Sequence, residues 1–257
     1  MNTIDIQNIT AGYDKRAVIS DISLSGNIGD IVAIIGANGS GKSTLLRTIV
    51  GDIKPTSGNI FFSDINSYNI TTRRRAQIVA CVEQETQASQ MHIYDYVMMG
   101  RTPFRSLFSL TDRDRDREIV AKAIDTVGIT HLQNKALAET SGGERRLASI
   151  AKALAQQPKI LLLDEPTANL DLANKVAIID LLKTLARTMC IIIVSHDVNE
   201  VISVASKALI LADGRSICFG DAHDVLTAQN LTKAYHTDIC EISIDGKARI
   251  MMAKGLM

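Results

Sequence analysis

The chain has 257 residues, 46% of them hydrophobic, and its 28 Lys and Arg balance 28 Asp and Glu. That length buries a sizeable core, as one large domain or two small lobes, and the zero net charge removes the usual electrostatic argument for a nucleic-acid binder. No apolar run reaches the ~18 residues of a membrane span, and the N-terminus lacks the charged-then-apolar layout of a signal peptide.

Residues Ile4 to Thr10 alternate apolar and polar, as do Ile22-Ser23-Leu24-Ser25, the pattern of half-exposed antiparallel strands. Between them Ala11-Gly12-Tyr13-Asp14-Lys15 reads as a turn carrying an exposed aromatic. Tyr13 is either edge packing or a platform for stacking a nucleotide base. Ile31-Val32-Ala33-Ile34-Ile35 is a continuous apolar run, as expected of a strand buried on both faces. It leads into Gly36-Ala37-Asn38-Gly39-Ser40-Gly41-Lys42-Ser43, which fits the phosphate-binding pattern G-x-x-x-x-G-K-S/T at every fixed position. Leu45, Leu46, Ile49 and Val50 recur at helical spacing, and Gly51 offers a left-handed stop. Strand, glycine-rich loop and helix N-terminus together make an anion cradle of backbone N–H groups. Lys42 adds a point charge for the β- and γ-phosphates, and Ser43 a hydroxyl for Mg²⁺.

Pro55-Thr56-Ser57-Gly58 marks a turn into a strand at Ile60-Phe61-Phe62, and Arg73-Arg74-Arg75 reads as a solvated helix face without a function. Ile78-Val79-Ala80-Cys81-Val82 is a second buried strand, ending on Glu83-Gln84. From there to Asn134 the pattern is helical. Thr111 and Asp114 form a capping box, and Ile119, Val120, Ala123, Ile124 and Val127 stripe one face. The alternating run from Asp112 to Arg117 reads as a salt-bridged solvent face. Thr140-Ser141-Gly142-Gly143-Glu144 then precedes Leu147, Ile150, Ala151 and Leu154 at helical spacing. A serine and two glycines opening a helix make a second anion-binding N-terminus, one more than a single nucleotide requires.

Ile160-Leu161-Leu162-Leu163 is a third buried strand, ending on Asp164-Glu165-Pro166. Cys190-Ile191-Ile192-Ile193-Val194 is a fourth, ending on Ser195-His196-Asp197. Each run turns polar at its C-terminal end, the edge where parallel sheets bind ligands. The tail carries hairpin signals at Asp213-Gly214 and Asp245-Gly246 around a helical stretch from Ala222 to His236. The four cysteines (Cys81, Cys190, Cys218 and Cys240) show no C-x-x-C spacing, and three lie in apolar runs. Buried free thiols of a reducing cytosol are expected, not a metal site or disulfides. The fold class is α/β with a mostly parallel buried sheet, an N-terminal antiparallel β subdomain and an inserted helical lobe at about 86–157, the rest of the domain being about 1–85 and 158–257.

Phosphoryl transfer asks a protein for positioning and charge stabilisation more than for covalent chemistry. Asp164 after a buried strand can hold the water shell of a metal, and Glu165 can polarise the attacking water. Gln84 can complete the metal shell or orient that water, and His196 can reach the γ-phosphate. Taken singly, Asp164-Glu165 is also the sequence of a helix cap before Pro166, and His196 that of a satisfied structural histidine. Their joint place at the strand ends of one sheet favours the catalytic reading. Ser195-His196-Asp197 is not a hydrolase triad, because adjacent side chains near a strand end diverge while a triad converges, and no G-x-S-x-G elbow is present.

On these residues the chain resembles ATP-binding cassette (ABC) transporter ATPases over nearly its whole length. The resemblance implies a P-loop NTPase core and ATP with Mg²⁺ as ligands. It matches Tyr13 to the adenine-stacking aromatic, Gly36 to Ser43 (with Thr44 following) to Walker A, and Gln84 to the Q-loop. Ser141-Gly142-Gly143-Glu144 matches the signature motif and Ile160 to Glu165 matches Walker B with its catalytic glutamate. Ala168-Asn169-Leu170-Asp171 matches the D-loop and His196 the switch histidine. Thr140 and Glu144 depart from the family's usual Leu and Gln, and Thr140 bears on how the signature packs.

In similar proteins two copies pack head to tail, and the signature helix of one caps the γ-phosphate held by the other, which accounts for the second anion cradle. Gly100-Arg101-Thr102-Pro103-Phe104 resembles a segment of importers for iron chelates, haem, cobalamin and molybdate. This implies a homodimer on the cytoplasmic face of a membrane, bound to two permease subunits and served by a periplasmic or extracellular substrate-binding protein, with no nucleic acid. The lobe carrying Arg101 is then expected to form the groove for a permease helix. A soluble cassette ATPase acting on DNA or ribosomes is the alternative, but the long insertion or second cassette of such proteins is missing. A degenerate subunit without turnover is opposed by intact Glu165 and His196.

Overall fold

In the computed structural model, which describes residues 2–14, 16–84, 87–105, 113–244 and 248–256, the chain begins with β1 (Ile4–Tyr13), β2 (Arg16–Gly26), β3 (Ile31–Ile35) and α1 (Lys42–Val50). β4 (Ser57–Phe62), β5 (Ile65–Asn66), α2 (Thr72–Ala76) and β6 (Val79–Val82) follow. A helical stretch comes next: α3 (Ile93–Met98), a 3₁₀ segment Met99–Phe104, α4 (Arg113–Thr126) and α5 (Gly142–Ala155). The chain resumes with β7 (Ile160–Asp164), α6 (Leu172–Ala186), β8 (Cys190–Val194), α7 (Val198–Val204), β9 (Lys207–Ala212) and β10 (Arg215–Asp221). It ends with α8 (Ala222–Val225), α9 (Ala228–Tyr235), β11 (Ile239–Ile244) and β12 (Ala248–Ala253).

The uninterrupted apolar runs form one six-stranded sheet in the order β10-β9-β3-β8-β7-β6, parallel except for the edge strand β10. Successive side chains of a strand point to opposite faces, so each run divides between two cores. Ala33, Ile35, Leu161, Leu163, Ile191 and Ile193 join the core shared with α3 to α9. Val32, Ile34, Ile160, Leu162, Ile192 and Val194 join the core shared with α1 and the antiparallel sheet. That second sheet has the order β2-β1-β4-β5, with Ile4 opposite Gly26 and Ile6 opposite Leu24. Covering both faces is why no polar residue punctuates the parallel strands. The result is the fold expected from the sequence.

Several local expectations need correction. The segment Ala11-Gly12-Tyr13 is not a turn but the end of β1, with Ala11 fully buried opposite Ile19. The arginine run is not merely solvated. Arg73 donates to the carbonyls of Pro103 and Arg105, both at 2.8 Å, and Arg75 donates to Ser67 and Val50. Their long side chains reach backbone acceptors that short polar residues could not. Asp116 is buried, not part of a solvent face. Only Cys190 of the four free cysteines is fully buried; Cys81, Cys218 and Cys240 are half-buried. Thr111, Asp112 and the Asp245-Gly246 turn lie outside the described residues, whereas Asp213 and Gly214 both take positive φ (47° and 75°) in the hairpin between β9 and β10.

Arg101 itself is not a residue of the lobe's groove. Its side chain is buried and faces inward. Its Nε donates to Asp116 Oδ1 at 2.7 Å, Nη1 donates to the carbonyl of Ala155 at 2.8 Å, and its guanidinium stacks 4.0 Å from the Phe104 ring centre. Gly100 beside it passes so close to α5 that a Cβ would lie 2.2 Å from the carbonyl of Lys152. Gly100 and Arg101 therefore form an internal clamp joining α5 to α4, while Thr102 stays exposed.

Candidate active site

Four strand ends, those of β3, β6, β7 and β8, deliver the site. After β3 the loop 36–41 turns back on itself and Gly41, at φ 103°, caps α1. A Cβ there would meet Ile19 at 2.3 Å, so the loop can approach β2 only as glycine. Thr44 is buried in the first turn of α1. Lys42 is nearly buried and donates through Nζ to the carbonyls of Gly36 at 2.8 Å and Ala37 at 3.0 Å. Burial holds its ammonium below the usual lysine range, against the opposing pull of Glu165 and Asp164. Across the cleft, burial and then the neighbouring Glu165 raise the Asp164 carboxyl, opposed by Lys42 and Arg146. The cation and the carboxylate have each lost water without meeting in a direct ion pair, so both are disposed to take a charged ligand.

Glu165 has a left-handed backbone, φ 49°. Its N–H donates to the carbonyl of Val194 at 2.9 Å, and its Oε2 lies 2.7 Å from Nδ1 of His196. The imidazole therefore turns to Glu165 and not to Ser195, whose hydroxyl accepts from the N–H of Asp197 at 3.1 Å. Together these segments enclose a cleft of about 660 Å³. Gly36, Ala37, Asn38, Gly39, Gly41, Lys42, Ser43 and Thr44 form one wall, and Gln84, Asp164, Glu165 and His196 the other. Ser40 is buried within the loop.

The remaining expected residues lie elsewhere. Tyr13 stands outside the cleft lining, 45% exposed, its hydroxyl accepting from Arg47 at 3.3 Å. Ser141 caps α5 in a reciprocal box: its Oγ accepts from the N–H of Glu144 at 3.2 Å, and Glu144 Oε2 accepts from the N–H of Ser141 at 2.7 Å. Those bonds hold the Glu144 carboxyl below its usual range. Thr140, in place of leucine, is buried with its hydroxyl donating to the carbonyl of Leu137 at 2.8 Å. Asp171 caps α6 by accepting from the N–H and side-chain amide of Asn174, both at 2.8 Å, and Asn174 lies against Gly143. None of these lines the cleft that holds Lys42. A smaller cavity of about 300 Å³ joins Gln84 to Gly142 and the turn Ala168-Asn169-Leu170.

Sequence reasoning missed Val18 and Tyr235, which also line the cleft. Tyr235 ends α9, and burial pushes its phenol up to about 12. No local pattern in the tail marks it, since only the fold brings α9 under the phosphate loop.

A family model described as ABC transporter matches residues 19–168, more than half of the chain. The chain belongs to the ABC transporter family. The hemin import ATP-binding protein HmuV of Bordetella pertussis is 32% identical over 244 residues, 91% of this chain and 92% of its own length. The ferric enterobactin transport ATP-binding protein FepC of Escherichia coli is 33% identical over 232 residues, 89% of this chain and 85% of its own. A solved structure described as an inward-facing conformation of a metal-chelate type ABC transporter superposes with a TM-score of 0.86 at 29% identity, covering 100% of both chains. As a member of the family this ABC protein is a nucleotide-binding ATPase built on the cassette fold, and no helix among its described residues is long and apolar enough to cross a membrane.

Proposed function

We propose that the chain is the motor subunit of a membrane importer whose cargo is a metal chelate (an iron–siderophore or haem), cobalamin or molybdate. The observation that carries this reading is a groove of about 960 Å³ opening directly off the cleft. Ser43, Gln84 and Asp164 form its inner end, and Tyr96, Leu137 and the exposed Met91 and Met99 its outer wall. Exposed methionines in a groove suit an apolar helix of a partner. The lobe at about 86–157 would receive a cytoplasmic permease helix there, and Gln84 would relay the state of the γ-phosphate to it. The relatives named for hemin and ferric enterobactin support the cargo class.

Within the cleft, the amides of Gly36 to Thr44 and the Lys42 ammonium hold the phosphates, and Tyr13, outside the cleft lining, would stack a base that extends beyond it. Ser43, Gln84 and Asp164 offer hard oxygen donors that fit Mg²⁺. Among the described residues no three His, Cys, Asp or Glu side chains form a metal cage, and Asp164 would be the one carboxylate to hold the ion beside Ser43 and Gln84. When bound, Mg²⁺ supplies charge neutralisation at the β- and γ-phosphates. Glu165 accepts the proton side of the attacking water, oriented by His196, which also reaches the γ-phosphate. Ser141 to Glu144 and Asp171, which do not line their own cleft, serve the nucleotide of a second copy in a head-to-tail homodimer. Two permease subunits and an external binding protein complete the assembly at the inner face of the membrane.

The test is affinity purification of the chain from membranes, followed by ATPase assays in liposomes with iron chelates, haem, cobalamin and molybdate. Co-purification of a permease and cargo-stimulated hydrolysis are expected. Recovery with ribosomes or DNA, and no permease in the eluate, would refute the importer reading.

A further inference from the structure

Arg146 has no part in the assignments above, yet it bonds to the loops that carry them. It lies near the start of α5, 6% exposed. Its Nη1 donates to the carbonyl of Glu83 at 2.6 Å, and its Nη2 donates to the carbonyls of Gln84 and, at 3.3 Å, Glu165. One planar group thus bridges the loop after β6 and the loop after β7 from a helix that belongs to neither. A guanidinium presents its donors in a rigid fork, whereas a lysine ammonium is a single point. All three acceptors are main-chain, so these bonds fix where the loops run, whatever their side chains do.

The bond to Glu165 falls on a strained turn. A positive φ is uncommon for a residue other than glycine, so neighbouring contacts must impose it. Here the N–H is held by Val194 and the carbonyl by the N–H of Ala168 at 3.2 Å and by Arg146. That carbonyl sits on the peptide that aims the Glu165 carboxylate at His196.

We propose that Arg146 is a positioning residue for ATP hydrolysis: it makes the placement of α5, which Ser141 caps, and the backbone of Glu165 and Gln84 depend on one another. A shift of the Ser141 end of α5 on engaging a ligand is carried along the rigid helix to the turn that bears the catalytic carboxylate. The inference rests on the reading of Glu165 as the residue that polarises water.

The test compares Arg146→Gln and Arg146→Lys with the unaltered protein, with turnover normalised to titrated nucleotide sites. Both variants should bind MgATP within about threefold of the unaltered protein while kcat falls roughly 10- to 100-fold, the scale of a misplacement of about 1 Å. Lysine should fail to rescue, because it keeps the charge and loses the fork. Nucleotide-induced protection from hydrogen exchange at residues 83–84 and 165–168 should be present in the unaltered protein and lost in both variants. A purely structural role would lower the melting temperature but leave kcat per site and the exchange pattern unchanged. The proposal is overturned if either variant keeps kcat within about twofold, if Lys restores full turnover, or if neither variant folds, which assigns Arg146 to stability alone. Glu165→Gln is assayed in parallel. Undiminished turnover there removes the Glu165 reading, while the exchange data still decide whether Arg146 joins the three segments.

Discussion

Arg101→Met tests the assignment of the Gly100-Arg101 segment to the interior. The substitution keeps much of the side-chain length but removes the donors to Asp116 and Ala155. Asp116 is left with a side chain 10% exposed and, among the described residues, Arg105 at 3.7 Å as its remaining ion-pair partner. Removing one member of a buried pair costs about 3–5 kcal/mol, and Arg105 offsets part of that, which places the loss near ~3 kcal/mol. At about 2–4 °C per kcal/mol for a chain of this size, the melting temperature should fall by about 6–12 °C. Replacing both partners, Arg101→Met with Asp116→Leu, should recover more than half of the loss, because no buried charge is left unpaired. Differential scanning calorimetry of the single and double variants reads both values. A single variant melting within ~2 °C of the unaltered protein would refute the buried clamp and return Arg101 to the surface.

The other expectations follow from the cleft and its surroundings. Glu165→Gln should reduce steady-state hydrolysis by ~10²–10⁴-fold while nucleotide binding survives, and the same variant should dimerise with MgATP in sedimentation; a monomer at saturating nucleotide counts against the head-to-tail arrangement. Tyr13→Ala should weaken nucleotide affinity by roughly 1–3 kcal/mol, by analogy with base–aromatic stacking, measured with a fluorescent ATP analogue; unchanged affinity would assign Tyr13 to its contact with Arg47. Glu144, whose carboxyl is held low by Ser141, stabilises the fold fully above the ordinary glutamate value of ~4.3 and loses that contribution as pH falls through its lower folded value. Glu144→Gln should therefore flatten the acid end of a melting-temperature profile against pH, and an unaltered slope would exclude this carboxyl as its source. Met99→Glu, placed on the exposed wall of the groove, should abolish cargo-stimulated turnover in liposomes with no change in melting temperature.

Much of the fold was legible because the chemistry of a doubly covered sheet writes itself into consecutive residues. Ile31 to Ile35 and Cys190 to Val194 carry no polar residue because both faces of the strand meet a core. Loops were less legible where glycine or alanine sits inside a strand. Ala11 and Gly12 carry turn-like composition, yet the buried contact of Ala11 with Ile19 across the sheet extends β1 through them. The arginines misled for a different reason. A solvated arginine and a buried one look the same in sequence, and Arg101 is inside only because Asp116 and the carbonyl of Ala155 are brought to it from α4 and α5.

The same distinction explains what could be read of the site. The phosphate loop, Asp164-Glu165 and His196 were recognisable because each acts through a local pattern: glycines that permit one backbone shape, or polar residues at the end of an apolar run. Arg146 acts through acceptors that every residue possesses, the carbonyls of Glu83, Gln84 and Glu165. Main-chain partners leave no trace in residue identity, so nothing at positions 83, 84 or 165 signals the arginine that joins them. Tyr235 was illegible for a related reason, since only the packing of α9 brings it into the cleft lining beside the phosphate loop. Side chains that grip backbone are therefore the part of this cleft that only the three-dimensional arrangement reveals, and they lie between the recognisable motifs, where one motif must be held in register with the next.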